Sequence, residues 1–358
     1  MPSALLDPPR PGPGGRRGTG GAHGRHAPRD PRRGRTLPTR ILLVAGLVAT
    51  LAAIRLVAPG ELALEDAVQD GITLATSVVV ESLPFVFLGL LLSIAVQLWV
   101  PSSVLMRILP RRALPRRAVL SLLGVLLPVC ECGNVPLARG FVMRGLTVPD
   151  AMTFLLAAPI LNPVTIITTY QAFGLQDGIL VWRVVGGFLV ANGIGWLLSR
   201  HPEPDRLLTP SFQAACAHDA GSSQRASLPR AARMFAAETT AMLPALLVGS
   251  AIAGLIQVAV QRDLLVQLGQ HPVLSVLALM ALAFVISICS NVDAFFVLSL
   301  GSAFSPGAII AFLVFGPMID IKMLALMRTT FTARTLAVVA SAAALATAVI
   351  GLGVNLAG

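Results

Sequence analysis

Charge is scarce in this chain. Asp, Glu, Lys and Arg make up 12% of its 358 residues, against 55% hydrophobic residues. A soluble protein carries roughly twice that share of charge, so an ordinary soluble globule is excluded. Lysine is nearly missing: Lys322 is the one example. There are only four cysteines, Cys130, Cys132, Cys216 and Cys289, and three of them sit in apolar segments where no disulfide framework is expected. The sequence has no Walker pattern, so nucleotide hydrolysis has no visible seat. It also has no Cys-x-x-Cys and no His-rich tract, which argues against a permanent structural zinc site.

What the chain does have is apolar length. Its mean hydropathy is +0.79, and runs long enough to cross a hydrocarbon core of about 30 Å recur along it. Only helices and closed barrels satisfy the backbone in lipid, and the runs have helical length. The fold class is therefore an all-α polytopic membrane protein. The net charge of +10 does not point to nucleic acid, because nine arginines fall in residues 1–40 and most others flank apolar segments. That is the pattern of cytoplasmic loops under the positive-inside rule.

Residues 1–40, rich in Pro, Gly and Arg, read as a disordered basic cytoplasmic tail. Residues 41–58 read as an uncleaved first span. A first set of apolar segments fills 71–199, a polar linker covers 200–234, and a second set fills 236–356. The expected location is the plasma membrane, with a cytoplasmic N-terminus.

The two sets match one another. Ser82–Gly89 (SLPFVFLG) pairs with Met242–Gly249 (MLPALLVG), Cys132–Pro136 (CGNVP) with Cys289–Asp293 (CSNVD), and Phe154–Pro163 (FLLAAPILNP) with Phe312–Ile321 (FLVFGPMIDI). Three matches in order and spacing imply an internal duplication. Each basic loop of one half faces a non-basic counterpart in the other. Residues 101–117 carry five arginines, whereas 262–271 carry Arg262 beside Asp263. This predicts two inverted-topology repeats with broken helices or re-entrant hairpins. Inversion needs an odd number of crossings per repeat. The segment 118–144 is expected to dip in and return, with its turn near Cys130–Gly133. A single kinked span is the alternative.

Two kinds of break carry the candidate chemistry. In the first, Cys130, Glu131, Cys132, Gly133, Asn134 and Pro136 interrupt an apolar run. Cysteines two apart point to opposite sides of a helix, so both serve one site only if the backbone unwinds there. Gly133 allows that, Asn134 suits an N-cap and Pro136 a first helical turn. The second half keeps Cys289 and Asn291 and places Asp293 where Pro136 stood. In the second kind, Pro159 and Pro317 break a helix shortly before Asn162–Pro163 and Asp320. The expected binding residues are Cys130, Glu131, Cys132, Asn134, Asn162, Cys289, Asn291, Asp293 and Asp320. The helix-break residues are Gly133, Pro136, Pro159, Pro163 and Pro317.

Ionisable groups inside a bilayer are costly, about 2.5–3.5 kcal/mol each, and Glu81, Glu131, Asp293, Asp320 and Lys322 all fall in apolar segments. Three cysteines at related breaks suit soft species such as trivalent arsenic or antimony, zinc or copper(I). Cys130, Cys132 and Cys289 are the candidate metal ligands.

At these residues the chain resembles the predicted-permease family that includes the organoarsenical efflux permeases. The resemblance rests on PVCECGNVPLARGF, FLLAAPILNP, SICSNVDAFF and FGPMIDIK, and covers about residues 70–330. It implies a plasma-membrane permease that is not an enzyme. It also implies cysteine contacts to substrate, which fall here on Cys130, Cys132 and Cys289. Glu131 departs from the small residue more often found between the paired cysteines, and a carboxylate there favours a cation. In this respect the chain is similar to a subgroup of permeases, some of which look partnered with a second small membrane protein.

The sequence therefore describes a permease for a small thiophilic metal or metalloid species, working by alternating access and coupled to an ion gradient through Glu131, Asp293 or Asp320. No cofactor is expected, and the partners are the substrate, the bilayer and a second membrane subunit. A divalent metal-ion permease working with that subunit is one alternative. An intramembrane thiol oxidoreductase using Cys130 and Cys132 is another.

Overall fold

The computed structural model describes residues 66–100, 102–127, 129–220, 227–259, 271–300 and 304–357. The expected tail (1–40) and first span (41–58) lie outside the described residues. So does most of the 262–271 loop used in the charge comparison.

The described residues are helical and follow one order in each half. The first half holds α1 (Asp66–Trp99), α2 (Ser102–Ile108), α3 (Ala113–Leu126), α4 (Glu131–Met143), α5 (Val148–Leu161), α6 (Pro163–Phe173) and α7 (Ile179–Leu198). α8 (Pro210–Ala220) lies in the connecting stretch. The second half holds α9 (Leu228–Ala259), α10 (Pro272–Ile286), α11 (Asp293–Ser299), α12 (Pro306–Met318), α13 (Ile321–Met327) and α14 (Ala333–Ala357). Among the described residues, six helical stretches are long and apolar enough to cross a membrane: three fall in each half, and α5–α6 and α12–α13 each count as one broken span.

The α3–α4 segment enters and returns on one face. α3 runs parallel to α5: Arg116 pairs with Asp150 at 2.7 Å, and a Cβ on Gly124 would lie 2.5 Å from Ala158 Cα. α4 runs parallel to α1, with Gly133 against Phe85 and Gly140 against Ser93. Because α5 starts just after α4 ends, the start of α3 and the end of α4 share a face. Each helix is about 20 Å long at 1.5 Å per residue, short of the roughly 30 Å core. This is the re-entrant geometry rather than the kinked span. Leu127, Val129 and Cys130 lie between the two helices, so the turn comes slightly earlier than the sequence suggested. In the second half, α10 lies parallel to α12, with Ser275 Oγ 3.2 Å from Ser305 Oγ and Gly316 facing Ala283.

The long helices α1 and α9 pack antiparallel. Phe87 stacks on Phe235 with ring centroids 5.8 Å apart. At the other end, a Cβ on Gly254 would meet Ala75 N at 2.7 Å and Gly71 O at 2.8 Å. Lipid offers apolar surface as good as a neighbouring helix, so close backbone approach is what favours such pairs.

The stretch expected as a plain linker is partly built into the fold. Leu207, Leu208 and Phe212 are buried. Thr209 N donates to Thr330 O at 2.8 Å, and Thr332 N donates to Leu207 O at 3.0 Å. The connection is strapped to residues 329–332 of the second half.

Candidate functional site

The first break ends the helix α3 with Leu127 extended. Cys130 is the N-cap of α4, with φ −72° and ψ 174°. Cys132 is two residues further, inside α4. The unwinding that lets both thiols face one place therefore occurs at Cys130, not at Gly133. Asn134 and Pro136 are interior to α4 rather than cap and first turn. The helix starts earlier because Gly133 N and Asn134 N both reach Cys130 O, at 3.1 and 3.2 Å. Gly133 serves close packing instead: an added Cβ would collide with Phe85 O and the Val129 side chain.

Asn162 holds the two breaks of the first half together. It caps α6 by accepting from Val164 N, and its Nδ2 donates to Val129 O at 3.2 Å. Asn134 Nδ2 approaches the same carbonyl at 3.5 Å. Pro163 opens α6, where a missing N–H costs nothing. Pro159 and Pro317 lie within the last turns of α5 and α12.

The second half breaks at 287–292. Ser287 ends α10 in the left-handed region, at φ 53° and ψ 39°. Side chains satisfy the carbonyls freed there: Gln257 Nε2 donates to Ile286 O at 2.8 Å, and Lys322 Nζ donates to Ser287 O at 3.1 Å. Asp320 caps α13 by accepting from Met323 N, and its Oδ2 has no hydrogen-bond partner among the described residues.

These breaks meet at Glu131. Lys322 Nζ lies 3.3 Å from Glu131 Oε1. Ser290 Oγ donates to Oε2 at 3.2 Å, and the Cys289 thiol reaches it at 3.9 Å. Cys130, Glu131 and Cys289 each bring one ligand atom within 4.8 Å of the others, and all three are buried. The Cys130 thiol interacts with both Cys132 and Cys289, while Cys132 Sγ approaches Ser82 Oγ at 3.7 Å. Soft sulfur and hard oxygen thus converge beside one ammonium. Such a set can take a thiophilic species, with Lys322 balancing the carboxylate.

Not every sequence candidate joins this centre. Asp293 forms a two-pronged pair with Arg183, at 2.6 and 2.9 Å, to which Thr169 adds a bond at 2.7 Å. Asn291 accepts from Thr165 at 3.3 Å. These contacts tie α6 and α7 to the second break. Sequence reasoning did not assign Arg183, although an arginine inside an apolar helix is an intramembrane charge of the kind that marks function or pairing. Ser287 and Ser290 carried no such signal. Lys322 was visible as a charge but not as the partner of Glu131.

A cavity of about 470 Å³ approaches the centre from the N-terminal half of α1. Glu81, Gln257 and Phe296 line it, and it ends on Ser287 and Ile288, next to Cys289. The opposite side is closed. Ser93 Oγ donates to Pro136 O at 2.6 Å. Arg139 binds Glu238 at 2.9 Å and Thr330 Oγ1 at 2.8 Å, and its guanidinium lies 4.2 Å from the centre of the Phe212 ring.

Six membrane-length helices around a buried polar centre make this a multi-pass α-helical membrane protein. Residues 68–356 match the model of the family described as predicted permease, and the chain belongs to that family. It is therefore a membrane permease, and the family points to a transporter. It is 37% identical over 260 residues to the UPF0718 protein YcgR of Bacillus subtilis, covering 72% of this chain and 87% of that protein. It is 30% identical over 271 residues to a Streptococcus mutans protein, covering 75% and 89%, whose name describes a subunit of a two-component membrane permease complex. No solved structure matches the chain.

Proposed function

We propose that this permease moves a small thiophilic metal or metalloid species across the plasma membrane by alternating access, coupled to an ion gradient. The observation that carries this reading is the convergence of Cys130, Glu131 and Cys289 within 4.8 Å. Cys130 and Cys289 come from different halves of the chain, and a soft cation or trivalent metalloid is the ligand that gains most from two thiols. The cavity on one side and the Arg139–Glu238 closure on the other support alternating access. The antiparallel packing of α1 and α9, whose sequences match, supports inverted repeats. The arginines of 101–117 support a cytoplasmic closed face and an outward-facing cavity. The same rule gives the basic N-terminus a cytoplasmic place.

Asp320 is the coupling group in this reading. Its unpartnered Oδ2 is buried beside the centre, where gaining or losing a proton changes the charge balance with Lys322.

A second reading is a divalent metal-ion permease acting with a partner membrane subunit. Glu131 favours it, because a carboxylate among thiols selects a cation, and so does the name of the Streptococcus mutans relative.

Accumulation in cells lacking their own exporters tests both readings. Empty vector, wild type and Cys130→Ser/Cys289→Ser are compared at equal membrane abundance, with methylarsenite, arsenite, antimonite, zinc and copper. One species is expected to change in wild type and to return to the vector level in the variant. Lower accumulation means export; higher accumulation means uptake and favours the metal-ion reading. No change for any species refutes the thiophilic substrate.

A further inference from the structure

On the face that carries the Arg139 closure, a second cavity of about 750 Å³ opens between the end of α7 and the start of α14. Gly195 fixes which face this is, because it packs against Arg117 and Pro149, at the arginine-bearing start of α3 and the start of α5. Arg200, Arg206 and Arg334 line the upper part of the cavity, and Leu197, Leu198 and Val338 line the part nearer the helices. The arginines come from two segments more than 120 residues apart in the chain. None belongs to the transport site.

A separate apolar groove of about 550 Å³ continues from this cavity down the same two helices. The two share Leu197. The groove runs past Gly193 to Leu189 on α7, and from Ala342 to Val349 on α14. Every side chain lining it is apolar. The stretch of α7 from Leu189 to Leu197 spans about 12 Å, close to the roughly 15 Å depth of one leaflet.

Together, the basic cavity and the groove have the shape and chemistry of a phospholipid. We propose that they form a binding site for an anionic phospholipid of the inner leaflet, with the phosphate on Arg200, Arg206 and Arg334 and an acyl chain between α7 and α14. Charge complementarity selects this occupant: three guanidiniums favour a phosphate that brings net negative charge, as anionic headgroups do. Trp196, whose ring lies 4.6 Å beneath the Arg200 guanidinium, places this level at the membrane interface. Glu203 pairs with Arg206 at 2.6 Å, but both chains are more than half exposed, so solvent screens the pair and phosphate can compete with it. Glu203 and Asp205 share that loop, and neither lines the cavity. The site does not depend on which species the permease carries.

The test uses the purified full chain in detergent. Thermal melts and native mass spectrometry are run with phosphatidylglycerol, phosphatidylcholine and inorganic phosphate. Two variants are compared with wild type: Arg200→Gln/Arg206→Gln/Arg334→Gln, and Leu345→Trp, which fills the groove from an exposed position. Phosphatidylglycerol is expected to raise the melting temperature in a saturable way, while phosphatidylcholine and phosphate leave it unchanged. At about a factor of five per arginine, the triple variant should bind phosphatidylglycerol on the order of 100-fold more weakly. Leu345→Trp should keep its fold and bind phosphatidylglycerol more weakly than wild type. An equal effect of phosphatidylcholine overturns the proposal, as does reproduction of the effect by phosphate alone. Unchanged lipid binding in the triple variant does the same. If Leu345→Trp instead releases a co-purifying membrane protein and leaves lipid binding intact, the groove belongs to a protein partner and the proposal fails.

Discussion

Lys322 and Glu131, 191 residues apart in the chain, meet at 3.3 Å with both side chains 1% exposed. Removing one partner of a buried pair leaves a charge without compensation, at a cost of about 3–5 kcal/mol. Glu131→Gln is therefore expected to lower the thermal midpoint and the yield of folded protein. Glu131→Gln/Lys322→Met should recover much of that stability but not transport. If the double variant is no more stable than the single one, the pair does not hold the centre together.

The Arg139–Glu238 pair closes the basic face. Its loss is expected to loosen Arg139 and admit water there. Thr330→Cys, in a Cys216→Ser background, should be poorly labelled by a membrane-impermeant maleimide applied to that face. Adding Glu238→Gln should raise labelling several-fold. Equal labelling with and without Glu238→Gln would mean that closure rests elsewhere.

Two glycines give opposite expectations. A Cβ on Gly133 would lie 2.5 Å from Phe85 O, which is backbone and cannot swing away. Gly133→Ala should push α4 off α1 and cost about 1–3 kcal/mol, the range for overpacking. Nothing lies within 4 Å of a Cβ on Gly353 in α14, so Gly353→Ala should stabilise by about 0.5–1 kcal/mol. Chemical denaturation of the two variants reads the contrast directly.

Asp320→Asn keeps the cap on α13, since an amide oxygen can still accept from Met323 N. It removes the proposed coupling group. Transport by this variant should lose its dependence on pH while the protein folds normally. Unchanged pH dependence would assign coupling to another group.

The breaks were legible in the sequence because polar, small and proline residues are conspicuous inside apolar runs. Asn162 and Asp320 stand out as polar groups just past the prolines, and each caps the helix that follows. The register of helix α4 was not legible. Asn134 and Pro136 have the propensities of a helix start, but Cys130 O already accepts the first bonds. Arg139 shows a deeper gap. On charge alone it reads as one more cation of a basic face, and only packing against α9 and Phe212 reveals it as a buried clasp. Glu131 with Lys322 is of the same kind. Spacing along a chain carries no information about partners so far apart.

Gly89 and Gly249 occupy matching places in the two halves, yet they meet different neighbours. Gly89 lies against Gly133 of α4, and Gly249 lies against Lys322 and Ala325 of α13. The first long helix clasps the re-entrant limb of its own half, and the second clasps the distal piece of its broken span. The pieces left over keep bare faces: Ile167 on α6 and Phe295 and Leu298 on α11 are exposed. One set of parts is thus assembled in two ways within a single molecule. In the alternating access proposed above, trading these grips would carry α11 across the mouth beside Glu81 as α4 drew away from Ser93. The doorway would change sides with no surface needed that the chain does not already own.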